Sequence, residues 1–149
     1  MQSRIAYSIG RLERALRQRL AEVTGSVGLT VAQYTALSVL QARGQMSNAK
    51  LAQRSFVSPQ AMNEILKAMV SKRMVARRPD PSHKRVVQIS LTALGERILR
   101  ECDAAVEEVE ESMLERLSEA ERLQFHGFLK TCIAELEEPR GRTPDKKLA

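Results

Sequence analysis

The pattern of this chain predicts a mainly α-helical protein carrying one small β-hairpin. Apolar residues recur at spacings of three and four along most of its length, the period of a helix with one buried face. Aromatics are 3% of the residues and Trp is absent. A core of Leu, Ile, Val, Met and Ala suits packed helices better than a sheet sandwich. The stretch from Met74 to Ile89 breaks the pattern, with two short β-type runs around a turn-rich basic segment.

Residues 3–24 form the first predicted helix, with Ile5, Ile9, Leu12, Leu16, Leu20 and Val23 as its apolar stripe. Such a stripe suits packing on its own domain or half of a subunit seam. Gly25 and Gly28 bracket a break. Thr30 is the expected N-cap of a helix over about 31–42, with Leu37 and Leu40 inward and Gly44 at its end. Ser47 caps a short helix from Asn48 to about Arg54 that turns Leu51 inward. Ser58-Pro59, an N-cap followed by proline at the first helical position, starts a helix that runs to about Lys72. Its buried face is Met62, Ile65, Leu66, Met69 and Val70. Two helices separated by a few residues, the second strongly capped, form a helix-turn-helix candidate.

Met74–Ala76 and Val86–Ile89 follow as predicted strands. The loop between them, Pro79-Asp80-Pro81-Ser82-His83-Lys84-Arg85, makes a cationic tip, so the hairpin reads as a wing. Thr92 caps a long helix over about 93–117. Ser118-Glu119-Ala120-Glu121 matches a capping box. A last helix runs to about Glu137, with Leu123, Phe125, Phe128, Leu129, Cys132, Ile133 and Leu136 supplying apolar area. The expected organisation is an N-terminal dimerisation helix over 1–28, a winged helix-turn-helix over 29–92, C-terminal dimerisation helices over 93–138 and a flexible basic tail over 139–149.

Charge distribution indicates what the winged part meets. The 149-residue chain has net charge +6 and a pI of about 9.7. Between Leu66 and Arg85 lie Lys67, Lys72, Arg73, Arg77, Arg78, Lys84 and Arg85 against one acid, Asp80. Between Glu101 and Glu121 lie nine acids against Arg116 alone. The first segment suits phosphates and the second is repelled by them. No apolar run reaches the roughly 18 residues needed to cross a bilayer, and no apolar leader opens the chain, so a cytoplasmic protein is expected, with no membrane partner.

Enzymatic chemistry is not expected. His83 and His126 lie far in sequence from Cys102 and Cys132, without metal-ligand spacing. There is no Gly-rich phosphate loop or nucleophile motif. No cofactor and no metal are expected. The two cysteines do not make a disulfide framework and read as free thiols packed in helices.

The order of elements resembles the MarR family of bacterial winged helix-turn-helix transcriptional regulators. The resemblance rests on Leu29-Thr30-Val31-Ala32-Gln33-Tyr34, Leu51-Ala52-Gln53-Arg54, Ser58-Pro59, Asp80-Pro81, Arg85 and Ser90-Leu91-Thr92-Ala93-Leu94-Gly95. It implies a homodimer joined through its first and last helices, bound to a pseudo-palindromic double-stranded operator. It also implies a repressor released by a small, often aromatic or anionic, effector. Three positions depart from the family pattern. His83 stands where an acid usually orients the wing, Glu64 where a base is frequent, and Arg73 where glycine often ends the recognition helix.

On this reading Ser58 opens the recognition helix, and Gln60, Ala61, Asn63, Glu64 and Lys67 face DNA. Gln and Asn can pair with adenine, Lys can reach guanine or phosphate, and Glu can accept from cytosine N4. Arg85 suits a narrow minor groove, and Arg77, Arg78 and Lys84 suit phosphates. Tyr7, Arg11, Arg14 and Tyr34 are the candidate effector residues, as hydroxyls and cations near the junction of the first two helices with the winged module. A thiol-redox-responsive regulator of the same fold and a helical interaction module without DNA binding are the competing readings.

Overall fold

The computed structural model describes residues 4–137; the predicted tail over 139–149 lies outside them. Its order is α1 (Ile5–Ser26), α2 (Val31–Arg43), β1 (Met46–Ser47), α3 (Asn48–Arg54), α4 (Pro59–Ser71), β2 (Val75–Pro79), β3 (Val87–Leu91), α5 (Ala93–Leu114) and α6 (Glu119–Glu137). The chain divides into two compact units, one through Glu110 and one from Glu111 onward, with α5 running through the boundary.

The caps form where short-range chemistry demands them. Thr30 and Gln33 exchange hydrogen bonds in a capping box, both at 3.1 Å. The Ser47 and Ser58 hydroxyls accept from the Lys50 and Ala61 amides. Ser118 and Glu121 form the expected box, the Ser118 amide donating to Glu121 Oε2 at 2.8 Å and the Glu121 amide to Ser118 Oγ at 3.3 Å. Hydrogen bonds from the Ser118 amide and then its hydroxyl hold the Glu121 carboxyl below its ordinary value.

Three helices end in the same way. In α1 the Leu29 amide donates to the Thr24 carbonyl and the Gly28 amide to Gly25. In α3 the matching donors are Val57 and Phe56; in α4 they are Met74 and Arg73. This double bond pattern places one residue in the left-handed region. That residue is Gly28 in α1, but Phe56 (φ 58°) in α3 and Arg73 (φ 60°) in α4. α1 therefore continues through Gly25, and Gly28 alone makes the turn.

The hairpin belongs to a three-stranded antiparallel sheet of order β1-β3-β2. The two-residue β1 pairs Met46 with Ile89 and Ser47 with Gln88. It is absent from the sequence reading because two residues are too few to show a period. β2 and β3 pair Val75 with Leu91, Arg77 with Ile89 and Pro79 with Val87. The core of the first unit gathers Leu37, Leu40, Leu51, Met62, Leu66, Met69, Met74 and Ile89, with Leu99 and Cys102 arriving from α5.

Gly95 sits in the first turn of α5, where a Cβ would run into the Met74 carbonyl. The Thr92 hydroxyl reaches the same point. It accepts from the Gly95 amide at 3.0 Å and lies 2.6 Å from the Arg73 carbonyl and 3.1 Å from that of Met74. The Thr92 amide also donates to the Met74 carbonyl, at 3.1 Å. Here the end of α4, the start of β2, the end of β3 and the start of α5 are joined within a few ångströms.

The second unit contains the 19-residue α6, none of whose residues is buried. Leu123, Phe128, Ile133 and Leu136 are exposed on it. Cys132 is exposed as well, so the expectation of two packed thiols holds for Cys102 only.

Candidate nucleic-acid interface

The recognition helix α4 divides as its periodicity requires. Met62, Leu66 and Met69 are buried, and Ser58, Gln60, Ala61, Asn63, Glu64 and Lys67 are all exposed. Ser58 through Ala61, the cap and first turn of α4, are exposed, at the positive end of the helix dipole. Lys67 Nζ lies 3.4 Å from Glu64 Oε1 in a solvent-exposed pair. Such a pair is worth at most about 1 kcal/mol, so Lys67 is easily released to a phosphate or base.

Two features of this surface escape the periodicity. Asn48, the first residue of α3, donates from Nδ2 to Asn63 Oδ1 at 2.7 Å and so links the two helices. Phe56 is 85% exposed in the turn between them. A Phe with left-handed backbone leaves no signature in the sequence, because glycine is the residue that normally marks such a turn.

Arg77 and Arg78 lie within β2, which runs past the expected strand end at Ala76. Successive side chains on a strand point to opposite faces, so the two arginines cannot serve one surface together. Arg77 shares its face with buried Val75, and Arg78 points the other way. Lys84 and Arg85 stand exposed in the loop between β2 and β3. Among the described residues no carboxylate lies within ion-pair distance of Arg77, Arg78, Lys84 or Arg85. Cations left unneutralised by neighbouring carboxylates are what polyanion binding requires.

The wing tip is organised around the Asp80 carboxylate. Asp80 Oδ1 accepts from the Ser82 amide at 2.7 Å and Oδ2 from Gln88 Nε2 at 2.9 Å. The Asp80 amide donates to the Val86 carbonyl and the Val86 amide to His83, both at 2.8 Å. The Ser82 amide first, then Gln88 and the nearby His83, hold the Asp80 carboxyl below its ordinary value.

The four candidate effector residues are less closely gathered. Tyr7, Arg11 and Arg14 are exposed on α1, while the half-buried Tyr34 on α2 donates its hydroxyl to Asp103 Oδ1 at 2.8 Å. Burial, then the Asp103 hydrogen bond and charge, raise the Tyr34 phenol well above its ordinary value. Burial also raises the Cys102 thiol, which disfavours the reactive thiolate.

A model described as the MarR family matches residues 27–86, the span from the end of α1 into the wing. Over those residues the chain resembles the MarR family. It is similar to the HTH-type transcriptional repressor Rv2887 of Mycobacterium tuberculosis, 29% identical over 84% of this chain and 90% of that one. Solved structures of Rv2887 superpose with TM-scores of 0.76 in complex with DNA and 0.73 in complex with salicylic acid. Each is 27% identical and covers 88% of this chain, and 98% and 97% of the respective Rv2887 chains. The Escherichia coli MarR structure shares the fold, with a TM-score of 0.79 at 22% identity over 89% of this chain and 98% of its own. The MarR fold accounts for the third strand as well as the helices.

Proposed function

We propose that this chain is a MarR-family, sequence-specific DNA-binding transcriptional regulator, a repressor released by a small molecule. The observation that carries this reading is the pairing of two surfaces. The outward face of the Ser58-capped α4 suits base edges in a major groove, and the unpaired cations of the wing suit phosphates and an adjacent minor groove. Rv2887, which shares this architecture, has been solved with DNA and with salicylic acid, and that likeness supports both partners. The domain assignment is residues 29–92 as the winged module, with helices over 1–28 and 93–138 making a homodimer. Ile5 and Ile9 on α1, and separately Leu123, Phe128 and Leu136 on α6, are apolar area that a second copy would cover. No single helix among the described residues is long and apolar enough to cross a membrane, in keeping with action on cytoplasmic DNA.

The test combines light scattering with nuclease protection. The expected result is a dimer of twice 16.7 kDa protecting a pseudo-palindrome whose half-sites are centred about one helical turn, roughly 10 bp, apart. Salicylate should release it. A monomer that protects no sequence would leave the helical interaction module as the better reading. Cys102 and Cys132 should be dispensable under reducing conditions. A folded double Cys→Ser variant that loses only peroxide-induced release would favour the redox reading.

A further inference from the structure

The amide of Asn63 is not free to choose its orientation. Its Oδ1 is held at 2.7 Å by Asn48 Nδ2 across the helix-turn-helix, while its own Nδ2 has no partner among the described residues and Asn63 is exposed. Asn48 Oδ1 is buried without a hydrogen-bond partner among the described residues, an arrangement that costs stability. Asn48 therefore gives the fold little beyond its single bond to Asn63.

We infer that Asn48 is a positioning residue which turns Asn63 into a donor-only reader of guanine; this rests on α4 being the base-reading helix. An asparagine pairs bidentately with adenine by offering oxygen to N6 and nitrogen to N7 together. With Oδ1 turned towards α3, that shared edge points away from the groove and the Nδ2 hydrogens face it. Guanine presents two adjacent acceptors there, N7 and O6, whereas thymine presents one, O4, beside its methyl group, adenine N7 beside a donor and cytosine only a donor. The guanine preference at the Asn63 position is therefore a property of residue 48 as much as of residue 63.

Selection of operator half-sites from a randomised duplex pool tests this. The Asn63 position is the one whose preference vanishes in Asn63→Ala. Wild-type protein should select guanine there by about tenfold over adenine. Asn48→Ala, which removes a half-satisfied amide, should fold and shift that position towards adenine, leaving other positions unchanged. Asn48→Asp supplies an acceptor for Asn63 Nδ2 and leaves Oδ1 outward. It should reverse the preference to donor-bearing adenine or cytosine, and its added charge should weaken all sites alike. Adenine selected by wild type, or one unchanged base profile across all three proteins with only uniform affinity loss, would overturn the inference while leaving DNA binding intact. A wild-type dimer that retains no duplex would sink the DNA reading and this inference with it.

Discussion

Asp80 and Gln88 close the wing at its base, carboxylate to amide at 2.9 Å. A carboxyl held below its ordinary value contributes its stabilisation above that value and loses it as pH falls through the lower folded value. Wing order should thus persist to pH values below 3.8, the usual aspartate figure, and fail only beneath them. Hydrogen exchange at the Ser82 and Val86 amides followed across acid pH reads this directly. Asp80→Ala should give the fast-exchanging wing already at neutral pH. Protection of both amides unchanged in that variant would show that the strand ladder alone shapes the tip.

Arg85→Ala should weaken operator binding by about 1–3 kcal/mol and make log affinity less steep in log salt by up to about one unit per subunit. Among the described residues no carboxylate neutralises its guanidinium, which leaves the charge available to DNA. Fluorescence anisotropy across a salt series measures both quantities. Wild-type affinity and slope in a folded variant dimer would remove the wing tip from the interface.

Phe56 and Arg73 occupy the left-handed position of two helix ends that glycine would occupy without strain. Phe56→Gly and Arg73→Gly should each stabilise the protein by about 1 kcal/mol, seen as a higher denaturant midpoint at unchanged slope. Both side chains are exposed, so little packing is lost. A gain in stability with weaker operator binding for Phe56→Gly would show that the exposed ring serves DNA. A lower midpoint for either variant would mean that its side chain holds the turn.

Tyr34 keeps its proton more tightly folded than unfolded. Its bond to Asp103 is therefore fully stabilising below the ordinary phenol value of 10.0 and is lost as pH rises through the higher folded value. Of the two tyrosines, one should resist ionisation in an alkaline ultraviolet titration until the protein unfolds. Tyr34→Phe should abolish that late step and cost about 1 kcal/mol at neutral pH. Retention of the late step in Tyr34→Phe would assign it to Tyr7 instead.

What could be read in the sequence follows from how far its causes reach along the chain. The caps at Thr30, Ser47, Ser58, Thr92 and Ser118 act over three residues, and each forms where the pattern places it. α3 begins and ends at Asn48 and Arg54 as expected, and the buried face of α4 was visible in its period. The left-handed backbone of Arg73 was also legible, because the family pattern favours glycine there. The rest depends on distance. Asn48 meets Asn63 across 15 positions and Tyr34 meets Asp103 across 69, and neither pairing leaves a trace in local periodicity. β1 exists only because β3 offers it an edge. The opposed faces of Arg77 and Arg78 were hidden until the strand was seen to extend through them.

The junction of Thr92, Gly95 and the Met74 carbonyl has a consequence for the shape of any operator. Because it binds the end of α4 to the roots of both wing strands, the helix and the wing form one rigid gauge. A base step met by Asn63 and a groove met by Arg85, as proposed above, would then be held at a constant interval along the duplex. A base pair inserted between those two contacts within a half-site could not be absorbed by the protein and would have to be taken up by bending of the DNA. Tolerance of spacing would be confined to the gap between half-sites, where the two subunits, rather than a single reading head, determine the distance.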